Sequence, residues 1–165
     1  MTSGNNLVKI GSSLTNSSQD TCYMEAALDQ AKLAVSADEV PVGAVVVYDD
    51  EIIGQGYNQP RRMADPTAHA EIVALRAACA YANNYRLPGA TVYVTLEPCL
   101  MCVGSMIHAR VYRLVYGAAE PKTGAVESIC RTRDDLPHNH VVKVSTGVLE
   151  KECKCLVQNF FRAKR

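Results

Sequence analysis

Residues 91–102, TVYVTLEPCLMC, run a strand straight into a helix. Thr91 to Leu96 is a short run of β-branched and aromatic residues with the pattern of a buried strand. Pro98 then suits a first helical position, where no amide donor is needed. Cys99 and Cys102, three apart, face the same way on that helix. Two thiols therefore sit at a helix N-terminus, whose partial positive charge lowers thiol pKa and favours the thiolate that zinc requires. Downstream, a helical crossover of about a dozen residues leads to a next strand over Val111 to Tyr116, and a connection of that length suits parallel pairing. Val141 to Ser145 offers a fifth strand. Leu149, Cys153, Leu156, Val157 and Phe160 mark a final amphipathic helix. Upstream, Val42 to Tyr48 and Glu51 to Tyr57 flank Asp49 and Asp50 as a hairpin, after an amphipathic helix over 21–36 that places Met24, Ala27, Leu28, Ala31 and Val35 on one face. The expected fold class is α/β, a five-stranded mixed sheet flanked by helices. The stretch 117–140 carries no readable pattern.

Between the hairpin and residue 91 lies a second chemical motif, His69-Ala70-Glu71, on a helix that Asp65-Pro66-Thr67 would open. His69, Cys99 and Cys102 make three ligands. Structural zinc sites are closed by four protein ligands, whereas catalytic ones use three and leave a position to water. Glu71 is then the spare group, able to take and return a proton. His69 and Glu71 would diverge by about 200° in mid-helix, but in a first turn both side chains can lean into a pocket at the helix mouth. A closed structural zinc, or no metal, is the competing reading. Cys79 lies about 15 Å up the axis from His69, and Cys153 with Cys155 cannot chelate from one helix face. Cys22 and Cys130 are not excluded by spacing.

The chain has 165 residues, 48% of them apolar, enough for one domain with a real core. Seven cysteines, an odd number, read as thiols and metal ligands of a cytoplasmic protein. No apolar run approaches the ~20 residues that span a bilayer, so no membrane partner is expected. Residues 1–20 are polar, without a secretory or transit pattern, and read as a disordered extension ahead of a catalytic domain over 21–165. Net charge is zero, so a polyanion would have to meet a local patch. Lys151, Lys154, Arg162, Lys164 and Arg165, against Glu152, form one candidate; a solvated helix end is the plainer alternative.

From about residue 21 to the end, the chain resembles the zinc-dependent cytidine deaminase-like superfamily, whose three-layer fold carries this motif pair. Five segments in order are similar to bacterial tRNA-specific adenosine deaminases: Glu39 to Ala44, Asp65 to Glu71, Thr95 to Cys99, Met106 to His108, and Lys122 to Ala125. The resemblance implies one zinc per subunit on His69, Cys99 and Cys102, with Glu71 carrying the proton. It also implies hydrolysis of adenosine to inosine at the wobble position of a tRNA anticodon by a cytoplasmic homodimer, an anticodon stem-loop being the partner. It assigns substrate contacts to Asn58, Val42, Ala70, Glu120, Lys122, Asn139, Phe161 and Arg162. Asn58 could otherwise be a turn residue, Val42 and Ala70 ordinary core, and Lys122 and Asn139 solvated loop positions. The chain departs from the family in having Glu120 for the usual Asp and Tyr57 for the usual Trp. Two other functions compete: a deaminase of free cytosine, guanine or deoxycytidylate, and a catalytically dead binding subunit, against which Glu71 argues.

Overall fold

The computed structural model of the chain describes residues 16–165. Its elements are α1 (Asn16–Ser36), β1 (Gly43–Tyr48), β2 (Glu51–Tyr57), α2 (Pro60–Met63), α3 (Ala70–Ala82), β3 (Thr91–Leu96), α4 (Leu100–His108), β4 (Arg113–Ala118), α5 (Thr132–Asp135), β5 (Lys143–Thr146) and α6 (Glu150–Ala163). The five strands form one mixed sheet in the order β2-β1-β3-β4-β5. β1 pairs antiparallel with β2 and β3, while β3, β4 and β5 run parallel. The chain is thus α/β with the five-stranded mixed sheet expected.

Alternation along the strands sorts the core into two layers. Ala44, Val46, Val92, Val94, Leu114 and Tyr116 pack with Ala70, Ala74, Leu75, Val103 and Met106 of α3 and α4. Val45, Val47, Tyr93 and Val115 turn to the other face, against Tyr23, Met24 and Ala27 of α1 and Cys153 of α6. At Gly54 a Cβ would lie 2.3 Å from the Ala74 carbonyl oxygen, so a glycine there lets α3 settle directly on β2. The β1–β2 turn runs through Asp49 and Asp50 at φ 48° and 62°, the left-handed pair that matches the twist of a two-residue hairpin.

Several boundaries differ from those expected of the sequence. β4 starts at Arg113 because Val111 and Tyr112 spend their amides on Met106 and Ala90 in the connection from α4. β5 opens at Lys143 rather than at 141, in register with Arg113. Helix α1 begins at Asn16, inside the expected extension, and its Asp20 is buried. Arg113 donates to both carboxylate oxygens of Asp20 at 2.8 and 2.7 Å, and the Tyr93 hydroxyl donates at 2.7 Å. The rest of that extension lies outside the described residues. Among the described residues no helix is long and apolar enough to cross a membrane.

Candidate active site

The topology brings the N-termini of α3 and α4 together at the C-terminal end of β3. His69 caps α3 with extended backbone (φ −70°, ψ 153°), and Cys99 caps α4 in the same way (φ −77°, ψ 172°). Pro98 therefore precedes the cap and does not occupy the first helical position; its ring fixes the approach of the chain instead. The motif helix likewise starts at Ala70 and not at Asp65. Asp65 accepts the Thr67 amide at 2.8 Å and the Thr67 hydroxyl at 2.7 Å, closing a turn ahead of the helix.

His69 Nδ1 lies 3.6 Å from both sulfurs, and Cys99 Sγ lies 3.8 Å from Cys102 Sγ. With Zn–S near 2.3 Å and Zn–N near 2.0–2.1 Å, one face of a tetrahedron has S···S edges of about 3.8 Å and S···N edges of about 3.6 Å. The three donors thus have the spacing of one tetrahedral face, and their softness suits zinc. They form the described residues' group of potential metal ligands, with no fourth member. Cys22, Cys79, Cys130, Cys153 and Cys155 stand outside it. The set is open on one side, as a catalytic site requires and a closed structural site does not.

The electrostatics of the cluster follow from shared protons. A hydrogen bond from Cys102, against the opposing effect of burial and with help from His69, brings the Cys99 thiol down to about 4. Sharing with Cys99, together with burial, pushes Cys102 up. The same hydrogen bond to Cys99 raises His69, and burial opposes it. The protons that these three ligand atoms share are what a metal would displace on binding. Glu71, in the first turn of α3, is 3% exposed. Burial pushes its carboxyl up to about 7, partly opposed by its own backbone amide and by His69. Glu71 interacts electrostatically with both His69 and Cys99.

The assigned substrate contacts separate into groups. Asn58, Val42 and Ala70 are brought together: Asn58 Oδ1 accepts the Ala70 amide at 2.9 Å, and the Asn58 backbone amide donates to the Val42 carbonyl at 3.1 Å. Asn58 thus caps α3 from outside the helix, its oxygen is committed, and its NH2 is the group left to donate. Val42 and Ala70 belong to the core as well, at 6% and 0% exposure. Glu120 and Lys122 lie on the loop after β4, where the Glu120 carboxylate accepts the Lys122 amide at 2.9 Å. Asn139 is not brought to this end. It accepts from Arg110 at 2.6 Å, beyond the C-terminus of α4 and near the start of β4 and β5, the end of the parallel strands opposite the thiols. Phe161 and Arg162 are exposed on the last turn of α6.

Two features are not foreseeable from the sequence. Lys164 and Arg61 both pair with Asp38, and Glu39 accepts the Arg62 amide at 2.8 Å, so the ends of α6 and α1 meet α2, which follows Asn58. The basic end of α6 therefore stands beside the Asn58 side of the site. Secondly, Glu97 is 3% exposed, between Leu96 and the ligand turn, with its carboxylate surrounded by amides of residues 120–128. Its position immediately before Pro98 is the one signal the sequence offers; its partners, 23 to 31 residues on, are invisible there.

Residues 17–118 match the cytidine and deoxycytidylate deaminase zinc-binding region. The tRNA-specific adenosine deaminase of Haemophilus influenzae is 48% identical over 88% of this chain and 85% of its own length. That of Agrobacterium fabrum is 47% identical over 88% and 95%. A solved structure from studies of A-to-I editing by tRNA:A34 deaminases at the wobble position of transfer RNA has a TM-score of 0.81 and 46% identity, covering 82% of this chain and 99% of that one. A chain with this sheet, this open triad of zinc-type donors and this degree of identity to those relatives belongs to the zinc-binding cytidine and deoxycytidylate deaminase family and, within it, to the tRNA-specific adenosine deaminases.

Proposed function

We propose that this protein hydrolyses adenosine to inosine at the wobble position of tRNA anticodons, releasing ammonia. The observation that carries the chemistry is the open triad of His69, Cys99 and Cys102 with the buried Glu71 beside it. Similarity to tRNA-specific adenosine deaminases carries the choice of substrate. His69, Cys99 and Cys102 would hold the zinc, which would supply a water of near-neutral pKa for the attack. Glu71, which is not needed as a ligand, would carry one proton of the attacking water to the purine ring nitrogen and the second, from the new C6 hydroxyl, to the departing amine. Water adds at C6 and the C6–N bond breaks, so one water enters and one ammonia leaves. The NH2 of Asn58, aimed by its bond to the head of α3, donates to the purine edge. Base extrusion costs little in an anticodon loop, where the base is unpaired. Arg162 and its basic neighbours meet phosphates, and Phe161 offers a stacking face.

A cytoplasmic homodimer is part of this reading. Met63, on α2, and Leu100, next to Cys99, are 52% and 55% exposed and offer apolar surface to a second copy; sedimentation at micromolar concentration should give a dimer, and a monomer there would remove this part. The reaction itself is tested with Cys99→Ala and a chelator. Both should abolish inosine formation in an anticodon stem-loop, and zinc added back should restore it only to the chelated wild type. Full activity without zinc would contradict the proposal.

A further inference from the structure

Glu97 sits one residue before Pro98 and two before a ligand, yet its side chain faces away from ligation. Its Oε1 accepts three consecutive backbone amides, Val126 at 3.1 Å, Glu127 at 2.8 Å and Ser128 at 3.0 Å. Its Oε2 accepts the Glu120 amide at 3.0 Å and the Ser128 hydroxyl. Consecutive amides converging on one point form an anion-binding nest, and here the anion is supplied by the chain itself. The backbone adds a further tie, because the Ala125 amide donates to the Pro98 carbonyl at 2.9 Å. The enclosure is tight: a Cβ at Gly124 would lie 2.4 Å from the Glu97 carboxylate carbon and 2.5 Å from the Glu120 carbonyl oxygen. The loop after β4 is therefore gripped by the residue next to the ligand turn, and the same grip fixes the backbone from which Glu120 and Lys122 project.

We infer that Glu97 is a positioning residue, which sets where Glu120 and Lys122 stand relative to the ligand turn and so determines how well substrate binds. The inference rests on the proposed function in so far as the 120–128 loop faces the substrate. A carboxylate is required and an amide is not equivalent. All five partners donate, a carboxylate only accepts, and one end of a glutamine is an NH2 donor. In Glu97→Gln the three consecutive amides hold the remaining oxygen, so the NH2 faces the Glu120 amide and pushes that end of the loop away. Zinc ligation and Glu71 are untouched.

The experiment pairs amide hydrogen exchange with steady-state kinetics on full-length, zinc-loaded Glu97→Gln. Exchange at the Glu120 amide should rise at least about tenfold, the loss of one charge-assisted hydrogen bond, with Val126 to Ser128 less affected. Bound zinc should stay at the wild-type stoichiometry. KM for the stem-loop should rise roughly tenfold with kcat changed far less, the pattern of weakened binding rather than impaired chemistry. Ser128→Ala, which removes one hydroxyl and no backbone bond, should shift KM in the same direction by a smaller factor, and it carries the test if Glu97→Gln does not fold. A Glu120 amide that stays protected, or an exposed one with unchanged KM, overturns the inference. If the wild type converts a free base and not the stem-loop, the proposed function fails. The exchange readout is unaffected by that outcome, and the KM comparison is then made on the base that is converted.

Discussion

The roles proposed for Glu71 and Asn58 can each be isolated by a change of one atom. Glu71→Gln keeps size and burial but cannot carry a proton; inosine formation should fall at least ~100-fold, the lower range for a general acid–base group, with zinc still bound one per chain. Loss of zinc in that variant would make Glu71 a ligand. Asn58→Asp keeps the oxygen that accepts the Ala70 amide and removes the NH2. Thermal stability should hold while kcat/KM drops by about tenfold, one hydrogen bond's share. Asn58→Ala should also cost about 1 kcal/mol of stability, as removal of a helix cap does. Equal kinetics for Asn58→Asp and wild type would reduce Asn58 to a cap. The metal ligands are legible in the sequence because His69, Cys99 and Cys102 are chemically rare and stand at meaningful spacing. The cap is not, since Asn58 and Ala70 are twelve residues apart and their contact is made by the fold.

The same contrast holds among helices and strands. β3 has the bounds expected from the sequence because its run of β-branched and aromatic residues lies between Gly89 and Pro98, and β2 because it lies between the Asp49-Asp50 turn and Asn58. β4 begins two positions later than its apolar run, since Val111 is apolar for the core and not for the ladder, and composition does not separate those uses. The start of α1 is hidden for a different reason. Ser17, Ser18 and Gln19 have no apolar face, and the first turn is held by Asp20, whose partners Arg113 and Tyr93 are 93 and 73 residues away. That anchor can be tested. Side-chain exposures of 26% for Arg113 and 11% for Asp20 leave the pair partly screened, so Asp20→Ala, which leaves the guanidinium with the Ser145 hydroxyl and takes the acceptor from the Tyr93 hydroxyl, should cost about 2–3 kcal/mol, below the range for a fully buried pair. Tyr93→Phe should cost about 1 kcal/mol. If denaturant midpoints for both match wild type, α1 is not held by this contact.

A chain of zero net charge offers RNA no general field, so recognition has to be local. The ion pairs of Lys164 and Arg61 with Asp38 set the basic end of α6 next to the Asn58 side of the site. Deleting residues 162–165 should weaken stem-loop binding and flatten its dependence on salt by roughly one unit of slope for each phosphate no longer neutralised, with zinc content unchanged. An unaltered slope would place the phosphate-binding cations elsewhere. The central claim, that this zinc deaminase acts on adenosine within a tRNA anticodon, is tested most directly by comparing kcat/KM for an anticodon stem-loop carrying adenosine at the wobble position with that for free adenosine, cytosine, guanine and deoxycytidylate, under one buffer and one salt concentration. The predicted result is inosine at the wobble position and no ammonia from the small molecules. Ammonia released from any free base, nucleoside or nucleotide at a rate matching or exceeding that on the stem-loop would contradict it.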